Sequence, residues 1–220
     1  MRVSGMWKFA LAPVTALLLL GGCAAGTGAA MEPPPVPGPP ETAQLGAAQQ
    51  GLATFRSLVT PQNYRGLGFA SPDDIGRAEL GTPLPFYRIE LEALRRYTPN
   101  TPAQDLLVNA QRSLYPVMVD GRVASSIFVT GHNDGWRATD FGNADLARAT
   151  SAMRRVPSDI VVQIPAAKLT FIARGQGADM TLTPVMDDPR FGFRAGQALP
   201  ASRVLPIVQR GMADYNGLPQ

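Results

Sequence analysis

The only histidine in the chain, His132, stands in the run His132-Asn133-Asp134-Gly135. Imidazole titrates closer to neutrality than any other side chain, so His132 is the natural general base if the protein is a hydrolase. Ser125 and Ser126 lie just upstream as candidate nucleophiles, with Asp134 beside the imidazole. In an extended segment, however, Ser126 and His132 are about 20 Å apart at roughly 3.3 Å per residue, beyond any hydrogen bond. No Gly-x-Ser-x-Gly elbow nominates another serine, so a triad would have to assemble from residues distant in sequence. The same run could touch a cation, but a specific metal site needs several more ligands in fixed geometry, and Asn, Asp and Gly are also the residues of tight turns. The expectation is a turn, with no catalytic residue, metal site or cofactor assigned.

A second candidate is the pair Asp187-Asp188 within MDDPRFGFRAG, flanked by Arg190 and Arg194. Its Pro, Gly and Phe content reads as a long irregular loop, the kind of segment that often carries binding function. Acids beside arginines are more often solvated ion pairs. A third candidate is an aromatic and arginine surface drawn from Trp136, Arg137, Phe141, Phe191 and Phe193. Trp and Arg are favoured interface anchors, although aromatics at strand positions more often belong to the core. Together, His132, Asp134, Trp136, Arg137, Asp187, Asp188 and Arg190 make the candidate binding surface. No Walker loop, dinucleotide fingerprint or redox cysteine pair accompanies them.

The 220 residues hold 20 Lys+Arg and 17 Asp+Glu, a formal net charge of +3. Arg2 and Lys8 lie in the first 22 residues, which contain no acid, so the rest carries 18 basic against 17 acidic residues, a balance of +1. A near-neutral body without a Lys/Arg cluster has little to offer a polyphosphate backbone, and a nucleic-acid partner is not expected. One cysteine and one histidine exclude an intramolecular disulfide and a multi-histidine metal site.

Met1 to Lys8 is short and basic, Phe9 to Leu20 is apolar, and small residues follow, the order of a secretory signal peptide. The apolar run contains Pro13 and is shorter than the roughly 20 residues that span a bilayer. It ends in Leu20-Gly21-Gly22-Cys23, which resembles the lipobox of bacterial lipoprotein precursors. The resemblance covers only these first residues. It implies cleavage before Cys23, acylation of Cys23 and attachment to a membrane without a spanning helix. Ala24 after the cysteine, in place of the Asp that often retains such proteins in the inner membrane, implies the outer membrane, facing the periplasm. Residues 23–45, rich in Ala, Gly and Pro, read as a tether. They hold too little bulky apolar surface to offset the entropy of ordering.

Residues 46–220 suit one domain with a substantial core. A helix is expected over 47–58, and Ser71-Pro72-Asp73-Asp74 reads as a cap, a helix-opening proline and acids at the positive end of a helix dipole, with Gly81 as the stop. Leu84 to Leu91 reads as a strand entering a short helix, and Thr101-Pro102 opens another helix through about Ala110. Asp120-Gly121 marks a two-residue hairpin within Leu114 to Thr130. Counting back from that turn puts Leu114 and Met118 on the core face with Val123, Ile127 and Val129. Trp136 to Phe141 adds a third strand. Asn143 caps a helix with Leu146, Ala149, Thr150 and Met153 on one stripe, and 160–164, 169–173 and 180–185 read as strands. Val204, Leu205, Val208, Met212 and Tyr215 form the last helical stripe, before Asn216-Gly217. Antiparallel meanders with packed helices argue an α+β fold.

The reading that follows is a non-enzymatic cell-envelope lipoprotein whose domain binds an envelope protein or glycan. A hydrolase with a His132-dependent site, or a carrier holding an apolar ligand between sheet and helices, is the alternative.

Overall fold

In the computed structural model, which describes residues 41–215, the first element is helix α1, Glu41–Leu58. Cys23, the apolar run, most of the tether and Asn216-Gly217 lie outside the described residues. The helix begins inside the stretch assigned to the tether rather than at 47. Its buried stripe, Gln44, Ala47, Ala48, Gly51, Leu52 and Phe55, recurs at helical spacing and extends one turn further back than the apolar residues alone indicate. Gly51 is needed for contact: a Cβ there would lie 2.6 Å from the Cβ of Ala138 on the sheet beneath.

The strands are β1 (Glu79–Leu80), β2 (Leu84–Ile89), β3 (Leu107–Val119), β4 (Arg122–His132), β5 (Gly135–Phe141), β6 (Ile160–Ile164), β7 (Leu169–Arg174), β8 (Thr181–Pro184) and β9 (Leu199–Pro200). They form one sheet in the order β5-β4-β3-β2-β6-β7-β8-β9, with β1 continuing the β2 side of β3. Two meanders, β2 to β5 and β6 to β9, run outward from the centre. Their first strands, β2 and β6, pair in parallel. The α+β class therefore holds, but the sheet is mixed rather than antiparallel throughout.

Adjacent residues of a strand point to opposite faces, and this separates the core into two layers. On one face, Tyr115, Val117, Ile127 and Val129 pack under α1, and Tyr87, Ile89, Val162 and Phe171 pack under α2 (Leu91–Arg95) and α4 (Ala201–Gly211). On the other, Leu84, Phe86, Leu114, Phe128, Val161 and Ile172 pack around Ala147 of α3 (Ala144–Met153). Asn143 caps α3 as expected, accepting from the Leu146 N–H. The stripe of α4 is buried at Val204, Leu205 and Val208.

The β3–β4 hairpin turns at Asp120 (φ 50°) and Gly121 (φ 75°), the two positive dihedrals that its turn type requires. The face assignment counted from that turn is corrected by a bulge. Val117 pairs with Ser125 and Met118 with Val123, leaving Ala124 extra, so the phase of β4 flips. Leu114, opposite Phe128, shares the α3 face with Val123, whereas Ile127 and Val129 sit under α1. Two further expectations change. The helix expected through Ala110 is one 3₁₀ turn, Ala103–Leu106, because Leu107 and Val108 are taken into the ladder opposite Ile89 and Arg88. The Ser71 cap closes a capping box with Asp74, but its 3₁₀ turn ends at Arg77, before Gly81.

Candidate functional site

His132 and Asp134 are exposed on the β4–β5 turn, where Asp134 pairs with Arg137. Trp136 is half-buried against Gly131, and Phe141 packs on Phe55 of α1 with tilted rings 5.2 Å apart, so these aromatics serve the core. Ser125 and Ser126 are buried on β4, donating to the carbonyls of Leu67 (2.6 Å) and Asn143 (3.2 Å). Neither serine meets the imidazole. Among the described residues, no group of three or more His, Cys, Asp or Glu side chains could hold a metal ion.

Asp187 and Asp188 split their roles. Asp187 accepts from the Ala195 N–H at 2.7 Å, closing the loop. Asp188 receives Arg190 through both carboxylate oxygens, and Arg190 also donates to the Ala167 carbonyl at 2.8 Å. The Arg190 hydrogen bond, chiefly, holds the Asp188 carboxyl below its ordinary range against the opposing effect of burial. Phe193 is buried on Phe171. The pair is thus a partly buried loop clasp rather than a solvated cluster. Four strands of the sheet stand between β5 and β7, beside which Arg190 bonds to Ala167, so the two nominated patches belong to opposite halves of the sheet and do not form one surface.

The residues that do converge come from elsewhere. On the α1 face of β2 and β3, a cleft of about 440 Å³ opens beside the first turns of α1. Glu41 and Leu45 of α1, Pro83 and Pro85 at the entry to β2, and Arg154 and Pro157 at its end line it. Its floor is polar. Ser113 and Tyr115 are successive near-face residues of β3, and Gln44 descends from α1 to join them. The Gln44 amide donates to the Ser113 hydroxyl at 2.9 Å, and the Tyr115 hydroxyl donates to the Gln44 carbonyl at 3.3 Å. All three are nearly inaccessible, at 3%, 1% and 2% exposed. Burial, with the nearby Glu41 carboxylate second, pushes the Tyr115 hydroxyl up to about 12, so it stays protonated.

The end wall is fastened by two arginines. Arg154 donates to the carbonyls of Thr82 (3.0 Å), Pro83 (3.1 Å), Val156 (3.3 Å) and Pro157 (2.7 Å), tying the segment after α3 to the connection between β1 and β2. Four of the five N–H groups of its guanidinium are thereby used, and its charge remains. Burial pulls it below its ordinary pKa, with Asp159 opposing. Asp159, fully buried, takes two bonds from Arg174 (2.9 and 2.7 Å) and the backbone N–H groups of Arg155 and Val156. Burial alone would raise its pKa, but these donors together hold it below the usual carboxylate value.

Sequence reasoning passed over this cleft because Gln44 read as tether and Ser113 preceded the expected strand. One signal was available: Gln44 falls on the helical stripe of Ala48, Gly51 and Phe55, and a polar residue on a core stripe needs a buried partner. Among the described residues, no helix is long and apolar enough to cross a membrane. No family model, curated protein or solved structure matches the chain.

Proposed function

We propose that this protein is a cell-envelope lipoprotein, anchored through acyl groups on Cys23 and set at the periplasmic side of the outer membrane. Its α+β domain binds an envelope component without transforming it. The observation that carries this reading is the cleft, a concave and mainly apolar space with a few fixed polar groups on its floor, which is how binding sites for partner groups are built. In this reading the nominated patches at 132–137 and 187–190 are structural. An anchored domain presents the cleft to whatever apolar portion its partner exposes, whether that belongs to a protein, a glycan conjugate or a lipid.

A photo-crosslinking residue placed at the exposed Leu45 in living cells tests this. A dominant adduct at Leu45, absent when the probe sits at Asp134 and lost on Cys23→Ser, is the expected result. Equal labelling from both positions, or none from Leu45, overturns it.

A further inference from the structure

Ser113 and Tyr115 bring one hydroxyl hydrogen each and the Gln44 amide brings two, while the two bonds of the network use one each. Reversing the amide of Gln44 and both bond directions leaves the same remainder, so one hydroxyl hydrogen and one amide hydrogen stay unused whichever way the network runs. None of the three side chains has another hydrogen-bond partner among the described residues. Buried donors without acceptors are costly, and here they border the cleft. The surroundings also set the charge of what could satisfy them. Arg154 keeps its charge but gives four of its five N–H groups to carbonyls, and the Glu41 carboxylate stands at the rim, so among the described lining residues an anion meets a cation with one N–H left and a like charge beside it. A neutral acceptor meets neither obstacle.

We infer that the cleft is a site for an uncharged lipophilic ester or amide, whose carbonyl accepts from the Gln44 and Ser113 or Tyr115 donors while its chain lies against the apolar lining of Leu45, Pro83 and Pro85. This rests on the reading of the cleft as the binding site and names its ligand class. The acyl chain displaces water from apolar wall surface, and the carbonyl supplies the acceptor that the floor lacks.

Titration of the full chain carrying Cys23→Ser with monodecanoylglycerol, followed by calorimetry and native mass spectrometry, tests the inference. One molecule is expected to bind saturably, with decanoate at pH 8 at least about tenfold weaker. Ser113→Ala and Gln44→Met should each weaken monodecanoylglycerol about tenfold. If either variant fails to fold, Leu45→Glu at an exposed position should weaken binding while leaving the melting transition in place. Three results overturn the inference: no saturable binding, equal affinity for decanoate, or unchanged affinity in the folded variants. The last would mean that the floor donors serve ordered water only. A chain that crosslinks through Leu45 yet ignores monodecanoylglycerol loses the ligand class and keeps the binding site; one that neither crosslinks there nor binds monodecanoylglycerol loses both.

Discussion

Asp159–Arg174 and Asp134–Arg137 are the same pair of residue types on two loops, and they do different work. Asp159 is fully buried and its carboxylate accepts four bonds, two from Arg174 and two from backbone N–H groups of the loop that ends the cleft. Asp134 and Arg137 are about three-fifths exposed and bond to each other across a tight turn. Removing one member of a buried pair leaves an uncompensated charge or donor, whereas an exposed pair exchanges its partner for water. Charge pairing is therefore a structural device in one loop and decoration in the other, and what separates them is the layer of chain above the carboxylate.

The sharpest way to break that contrast is Asp159→Asn. It should cost about 3 kcal/mol in urea denaturation, because Arg174 and two backbone donors lose their anion together. A loss below about 1 kcal/mol would mean that water reaches the carboxylate. The pH dependence has a fixed sign. A carboxyl held below its ordinary value contributes stability that is complete above its unfolded pKa, near 4, and is lost as pH falls below it. Asp159→Asn should accordingly flatten the acid limb of the stability curve, with Asp188, shifted the same way, supplying what remains.

Tyr115 sharpens the comparison from the other side, as a buried titratable group with no cation to favour its charged form. With its folded value near 12 against an unfolded 10, the chain should lose about 2–3 kcal/mol as pH rises from 10 through 12. Tyr87 and Tyr97, also raised by burial, act in the same direction. Tyr115→Phe should remove its own share of that loss, measured by thermal melts across the alkaline range. Next in size is Arg154→Met, for which about 1–2 kcal/mol is expected. The four carbonyls it serves lie close enough to the surface to find water, but the end wall should loosen and monodecanoylglycerol affinity should fall with it.

Much of the fold was legible because local chemistry and tertiary structure agree. The Asp120-Gly121 turn, the Asn143 cap and the α4 stripe each follow from a residue pattern that has one good solution. The misreadings occur where a non-local partner decides. Ala124 bulges only because β3 holds β4 in register, Leu107 becomes strand because β2 is there to receive it, and Gln44 joins a core stripe because Ser113 and Tyr115 lie beneath it. The site was less legible than the fold for the same reason. Sequence reading favours charged, aromatic and histidine residues near turns, while this cleft is built on an amide and two hydroxyls that stand 69 and 71 positions apart in the chain, with prolines beside them.

The smallest expected effect is also the most discriminating. Asp134→Asn should leave stability unchanged within about 0.5 kcal/mol, since the ion pair it breaks is exposed on both sides. Gly135→Ala, at the neighbouring position, should cost about 1 kcal/mol. Its φ of 124° lies where a Cβ is disfavoured, even though no neighbouring atom stands within 4 Å of where the Cβ would go. The ordering of these two variants separates two accounts of the turn. If Gly135→Ala is the costlier, backbone geometry holds the β4–β5 connection and its charges are incidental. If Asp134→Asn is the costlier, the Asp134–Arg137 pair resembles Asp159–Arg174 more than its exposure allows, and His132 beside it regains a claim to function.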